Sequence, residues 1–202
     1  MSTRREGTRS RLLGAARALF EERGYHDVGL EEIGAAAGVS RQAVYLHFGS
    51  KAQLLVALFS WIEEQEHLGE LLAPVFASPD GVEALSLLVD AHSRFEPGIT
   101  KIADVAEAAR RTAPEMDELV RGRMELRLQG MRQIVARIHA QGRLRSDWTV
   151  DDAAGFVWTL LSPESHRLLV RELGWSNQRW ATGAKRLLLD ALVDPGDRDL
   201  PR

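Results

Sequence analysis

Cysteine is absent from the 202 residues, which excludes disulfides, thiolate metal sites and cysteine nucleophiles. No apolar run approaches the ~20 residues that cross a bilayer. The positively charged start, Met1-Ser2-Thr3-Arg4-Arg5-Glu6, leads into no apolar segment, so it does not read as a secretory signal. A cytoplasmic chain without a membrane partner is expected. No internal repeat or low-complexity tract appears. Neither a glycine-rich phosphate loop nor a nucleophile elbow is found. Glu64 and His67 have the Glu-x-x-His spacing of carboxylate-bridged metal sites, which need a second such pair on another helix. None is present, and Glu164-Ser165-His166 has the wrong spacing. Catalysis, metals and cofactors are therefore not expected.

An excess of positive charge is also missing: the net charge is −3. Its distribution is uneven. Residues 1–51 carry Arg4, Arg5, Arg9, Arg11, Arg17, Arg23, Arg41 and Lys51 against Glu6, Glu21, Glu22, Asp27, Glu31 and Glu32, a local surplus of two cations. The remaining residues carry a net −5. Attraction to a polyanion depends on the local patch and not on the sum. The alternative is that Arg4, Arg5, Arg9 and Arg11 form only a solvated arm.

What the chain does have is helix periodicity. Hydrophobic residues make 45% and charged residues 27%, with enough length to bury a core. After loose residues 1–7, the spacing predicts a helix over 8–23, with Leu12, Leu13, Ala16, Leu19 and Phe20 on one stripe and Gly24 as its stop. Ser50 is expected to cap a helix that runs to about Leu72, before Pro74, with Leu54, Leu55, Leu58, Trp61 and Ile62 inward. Further helices are expected over 82–95, broken by Pro97-Gly98, and over 99–111. A long one should open at Pro114 and stop at Gly142. Residues 150–172 are apolar on most sides, and Pro163 should divide them behind a Ser162 cap. The last helix should start after Ser176, with Trp180, Ala184, Leu187, Leu188, Ala191 and Leu192 on its face.

One stretch, Gly29 to Lys51, is organised differently. Leu30, Ile33 and Ala37 share a helical face. Gly38 suits the positive φ just past a helix end. Ser40 can accept a free N–H at the start of the next helix, on which Val44 and Phe48 face inward. Two short helices joined by a glycine-containing turn make a helix-turn-helix, whose second helix fits the DNA major groove.

The run Ala-Gly-Val-Ser-x-x-x-Val-Tyr-x-His-Phe-x-x-Lys-x-x-Leu, from Ala37 to Leu54, resembles the signature of the TetR/AcrR family of bacterial repressors. So do the preceding helix ending in Phe20 and the Gly24-Tyr25 pair. The detailed resemblance covers residues 8–58, and elsewhere rests on length, helicity and element order. It implies an all-α fold of about nine helices. A three-helix DNA-binding head would occupy 1–50, a helical regulatory and dimerisation body 51–193, and a flexible tail 194–202. By the same resemblance Arg41, Gln42, Ala43 and Leu46 would face base edges, while Ser40, Tyr45, His47 and Lys51 would touch phosphate. The alternatives are packing for Tyr45 and a cap on its own helix for His47. Gly29 departs from the family's usual Thr or Ser, and Gln42 stands where a glycine is common.

The resemblance further implies a double-stranded DNA operator and a homodimer through the last two helices, where Ala181, Gly183 and Ala184 permit close approach. A small apolar or amphipathic effector would release DNA. Its candidate contacts are Trp61, His92, Phe95, Ile102, Met124, Arg127, Leu128, Met131 and Trp158, each also readable as core. An effector-independent regulator is the alternative.

Overall fold

A computed structural model describes residues 2–111 and 113–197. Met1, Thr112, the tail residues 198–202, and the side chains of Ser2, Thr3, Arg4, Glu115 and Leu119 lie outside the described residues. Ten α-helical segments follow in order: α1 (Ser2–Arg23), α2 (Leu30–Ala36), α3 (Arg41–Phe48), α4 (Lys51–Gln65), α5 (Leu68–Ala77), α6 (Gly81–Arg110), α7 (Pro114–Ala140), α8 (Val150–Leu160), α9 (Pro163–His166) and α10 (Asn177–Leu192). A π-helical turn, Arg167–Glu172, continues α9. No strand occurs among the described residues, only a lone bridge between Leu144 and Val193. The fold is all-α, as the periodicity required.

The chain groups into two compact units, residues 1–66 with 98–122, and residues 67–97 with 123–202. The expected boundaries at 50 and 193 do not coincide with these units. In the first unit, Leu12, Leu13, Ala16 and Phe20 of α1 are buried with Tyr25, Val28, Ile33, Val44, Phe48, Leu54, Leu55 and Leu58. Burying a side chain of this size contributes about 1.5–3 kcal/mol, so this core holds the short α2 and α3, which are too brief to be stable alone. In the second unit Leu85, Leu88, Val89, Met131, Ile134, Val135, Ile138, Val157, Leu161, Trp180, Leu188 and Leu192 form one cluster.

Most helix ends follow from local chemistry. Ser50, Ser162 and Ser176 each accept a backbone N–H three residues on, from Gln53, Ser165 and Arg179, at 3.1 Å. Gly24, Gly142 and Gly174 take φ near +70 to +81° after α1, α7 and the π-helical turn.

Four expectations need correcting. Residues 2–7 are helical, because nothing there breaks a helix except the modest cost of Gly7. The helix capped by Ser50 ends at Gln65, not near Leu72. His67 adopts φ 53°, a left-handed conformation, and Pro74 lies inside the following helix. Pro97-Gly98 does not end a helix either, since α6 runs through it. The Gly98 carbonyl accepts from Arg17 Nη2 at 2.7 Å. A Cβ at Gly98 would collide with the Glu66 carboxylate, so this glycine serves close packing and not chain reversal. Finally, Ala181 and Ala184 are buried in their own chain's core, leaving Gly183 exposed among the three small residues.

Candidate nucleic-acid interface

Helices α2 and α3 are joined as closely as the backbone permits. A Cβ on Gly34 would stand 2.9 Å from the Val39 carbonyl oxygen and 3.1 Å from Val44 Cγ2, so only glycine allows α3 to fold back here. Gly38 makes the turn at φ +72°. Ser40 Oγ then accepts the Ala43 N–H at 3.3 Å and starts α3. At the start of α2, where Gly29 offers no side chain, Glu32 Oε2 reaches back to accept the Gly29 N–H at 2.8 Å. Glu32 also pairs with Arg23 at 2.8 Å. Together these two bonds hold its carboxyl below the usual range, the backbone bond first.

α3 is buried through Val44 and Phe48 alone. The rest of its surface is open: Ser40, Arg41 and Gln42 are exposed, Ala43 and His47 half-buried. Leu46 is 75% exposed and Tyr45 43%, unusual values for large apolar groups without a partner. The Arg41 guanidinium lies 5.6 Å from the Tyr45 ring and 3.4 Å from its hydroxyl. That contact pre-arranges the arginine along the helix face. His47 is held below its ordinary pKa by burial and then by Arg5 and Arg9. Arg9 itself sits 5.5 Å over the Phe48 ring. The sequence placed Arg9 on a helix but Arg5 among the loose residues 1–7, so their shared face appears only because the helix begins at Ser2.

Lys51 is placed otherwise than expected. Its ammonium donates to the carbonyls of Tyr25 at 2.7 Å and Val28 at 3.0 Å, and lies 4.3 Å over the Tyr25 ring. Burial pushes its pKa down. It ties α4 to the loop before α2, and two of its three donors are used there.

Of the candidate effector contacts, Trp61 and Ile102 belong to the first unit, half-buried and buried respectively. The other seven belong to the second. Phe95 and Met131 are core, while His92, Met124, Arg127, Leu128 and Trp158 are half-buried. Arg127 is the centre of a polar group. Its Nη2 donates to the Leu161 carbonyl at 2.8 Å and lies 3.9 Å from Glu96 Oε1. Glu96 is 1% exposed, and burial raises its pKa to about 7 against the pull of Arg127. His92 Nδ1 donates to the Leu88 carbonyl at 3.0 Å, and burial and Arg127 drive its pKa to about 4. Trp158 Nε1 is buried without a hydrogen-bond partner. Glu96 was missed in the sequence. Its position four residues after His92, on the helix face that carries Leu88, was the available signal.

No group of three or more His, Cys, Asp or Glu able to hold a metal occurs among the described residues. Among the same residues, no helix is long and apolar enough to cross a membrane.

The model of the tetR family of bacterial regulatory proteins matches residues 12–58. Over 103 residues the chain is 34% identical to the HTH-type transcriptional activator FasR of Mycolicibacterium smegmatis, spanning 51% of this chain and 42% of that one. The chain covers less than two thirds of the length of the first curated relatives it matches. Among solved structures it is similar to NalD, the secondary repressor of the MexAB-OprM multidrug efflux pump in Pseudomonas aeruginosa. The TM-score is 0.71 at 25% identity, over 97% of this chain and all of that one. It is also similar to SmeT, the repressor of the Stenotrophomonas maltophilia efflux pump SmeDEF, in complex with triclosan. There the TM-score is 0.75 at 25% identity, over 96% and 99% of the two chains.

Proposed function

Because the chain belongs to the tetR family of transcriptional regulators, which are not enzymes, we propose that it is a dimeric, sequence-specific repressor released from a palindromic operator by a small apolar or amphipathic ligand. The observation that carries the DNA half is the unpartnered outer face of α3. Arg41 suits guanine O6 and N7, Gln42 suits adenine, and Leu46 and Ala43 suit a thymine methyl. Ser40, Tyr45 and His47 supply phosphate contacts that set register. Lys51 contributes chiefly by holding the head together. The protein works in the cytoplasm, beside the DNA.

Repression is our choice over activation; NalD and SmeT are repressors by name and FasR an activator. For the ligand, the supporting features are the polar group at Arg127, Glu96 and His92 and the buried Trp158 N–H, which has no hydrogen-bond partner. Apolar Leu128 and Met131 stand on the same helix as Arg127. The dimer reading is supported by exposed Leu168, Leu173 and Leu187, on the last turns and helix of the chain.

The test is binding to duplexes taken from the DNA flanking the gene. Operator binding that weakens on adding an amphipathic compound, together with a thermal shift by that compound, supports the reading. Operator binding unmoved by a broad library of such compounds would favour a regulator that works without an effector.

A further inference from the structure

The head holds a second cluster of cations that the reading of α3 alone does not use. Arg5 and Arg9 stand four residues apart on α1, one helical turn, and so share a face. Arg9 is fixed against the far end of α3 by its stacking on Phe48, and the Phe48 and His47 rings are 6.0 Å apart. His47 is in the last turn of α3, where the aligned carbonyls favour a cation. Two guanidiniums and one half-buried imidazole thus meet at one end of the recognition helix.

Charged groups also stand on the elements around the cluster. From α1, Arg5 and Arg9 act on His47, with Glu6 between them in sequence. From α2, Glu32 is taken by Arg23 and the Gly29 N–H, and Glu31 acts on Arg41. From α4, Lys51 is held by the Tyr25 and Val28 carbonyls. The charged groups that move His47, Arg5 and Arg9, are both positive. A row of like charges costs energy unless something negative joins it.

We propose that the first turns of α1 form a second arm of the DNA interface. In it Arg5, Arg9 and His47 grip one stretch of phosphate backbone, and His47 takes up a proton as the phosphate docks. The inference rests on the DNA-binding reading and deepens it. The balance is simple: protein, duplex and one proton per protomer give the complex, with the proton on the imidazole. The phosphate reverses the local field that Arg5 and Arg9 impose, so the bound imidazole holds a proton that the free one sheds. Affinity therefore rises as pH falls through the range between the free and bound pKa values.

The experiment uses the full chain and a duplex it binds, read by fluorescence anisotropy. Binding is followed from pH 5.5 to 8 at fixed ionic strength, and against salt at pH 7.5. The expected result is a gain of up to tenfold per protomer for each unit drop in pH, abolished in His47→Gln. Arg5→Gln and Arg9→Gln should each flatten the log–log salt dependence by about 0.9 per protomer while keeping the preferred sequence. Thermal melts of each variant confirm that it is folded. Unchanged salt slopes in both arginine variants, or a pH dependence that survives His47→Gln, would overturn the proposal while leaving α3 as the reader. Failure to bind any duplex would remove the DNA reading and this proposal together.

Discussion

Arg41 and Lys51 are both cations beside the same helix, yet the structure gives them different work. Arg41 is exposed and oriented by Tyr45, while the Lys51 ammonium is spent on two carbonyls and a ring. Arg41→Ala should therefore cost ~1–3 kcal/mol on the preferred operator and little on unrelated DNA, as read by competition binding. Lys51→Met should lower the melting temperature, because charged hydrogen bonds of this kind are worth about 1.5–3 kcal/mol. A Lys51→Met head that melts like the parent would contradict its role as a tie. In the second unit, Glu96 and His92 pull stability in opposite directions with pH. Glu96 titrates near 7 when folded and near 4.5 when unfolded, so the folded chain holds the extra proton and stability falls as pH rises across that window. His92 titrates near 4 when folded and near 6.5 when unfolded, so stability is lost as pH falls from 6.5 towards 4. Each slope is at most about 1.4 kcal/mol per pH unit, and the two offset each other between 4.5 and 6.5. Urea unfolding of Glu96→Gln should then show stability rising with pH in that range, and His92→Gln should show it falling. Parallel curves for the two variants would mean that these groups do not titrate as described.

At the scale of elements, the legible features were those written in short local codes. Ser40, Ser50, Ser162 and Ser176 each precede a helix and each caps it. Ser40→Ala should cost about 1 kcal/mol and loosen α3, seen as a lower melting temperature and weaker DNA binding. Two of the prolines, Pro163 and Pro97, show where local codes stop. Pro163 follows a serine that can cap, and the helix divides there. Pro97 follows Glu96, no capping residue, and α6 continues, with the Gly98 carbonyl satisfied from α1. The break at His67 was illegible, since neither glycine nor proline stands at it. The α3 face was readable because its inward positions, Val44 and Phe48, are few and its apolar outward residue, Leu46, is unmistakable. The polar group at Glu96 was harder to see, since a buried carboxylate is defined by neighbours 30 or more residues away. The tie made by Lys51 was hidden in the same way: its partners, Tyr25 and Val28, come from an earlier loop.

For the whole molecule, the account requires two copies of α3 presented by a symmetric pair, and the operator should mirror that symmetry. The exposed leucines Leu168, Leu173 and Leu187 are the surface assigned to pairing, with Gly183 admitting close approach one turn before Leu187. Leu187→Glu should give a monomer by light scattering and lose operator affinity, while its thermal melt stays close to the parent's. The most direct test of the central claim is selection of duplexes from a random library by the purified full chain, repeated with Gln42→Ala. The account predicts enrichment of an inverted repeat by the parent, and a changed base at the same symmetric positions in both half-sites with the variant. An unenriched library, or an enriched site indifferent to Gln42 and Arg41 substitutions alike, would contradict it.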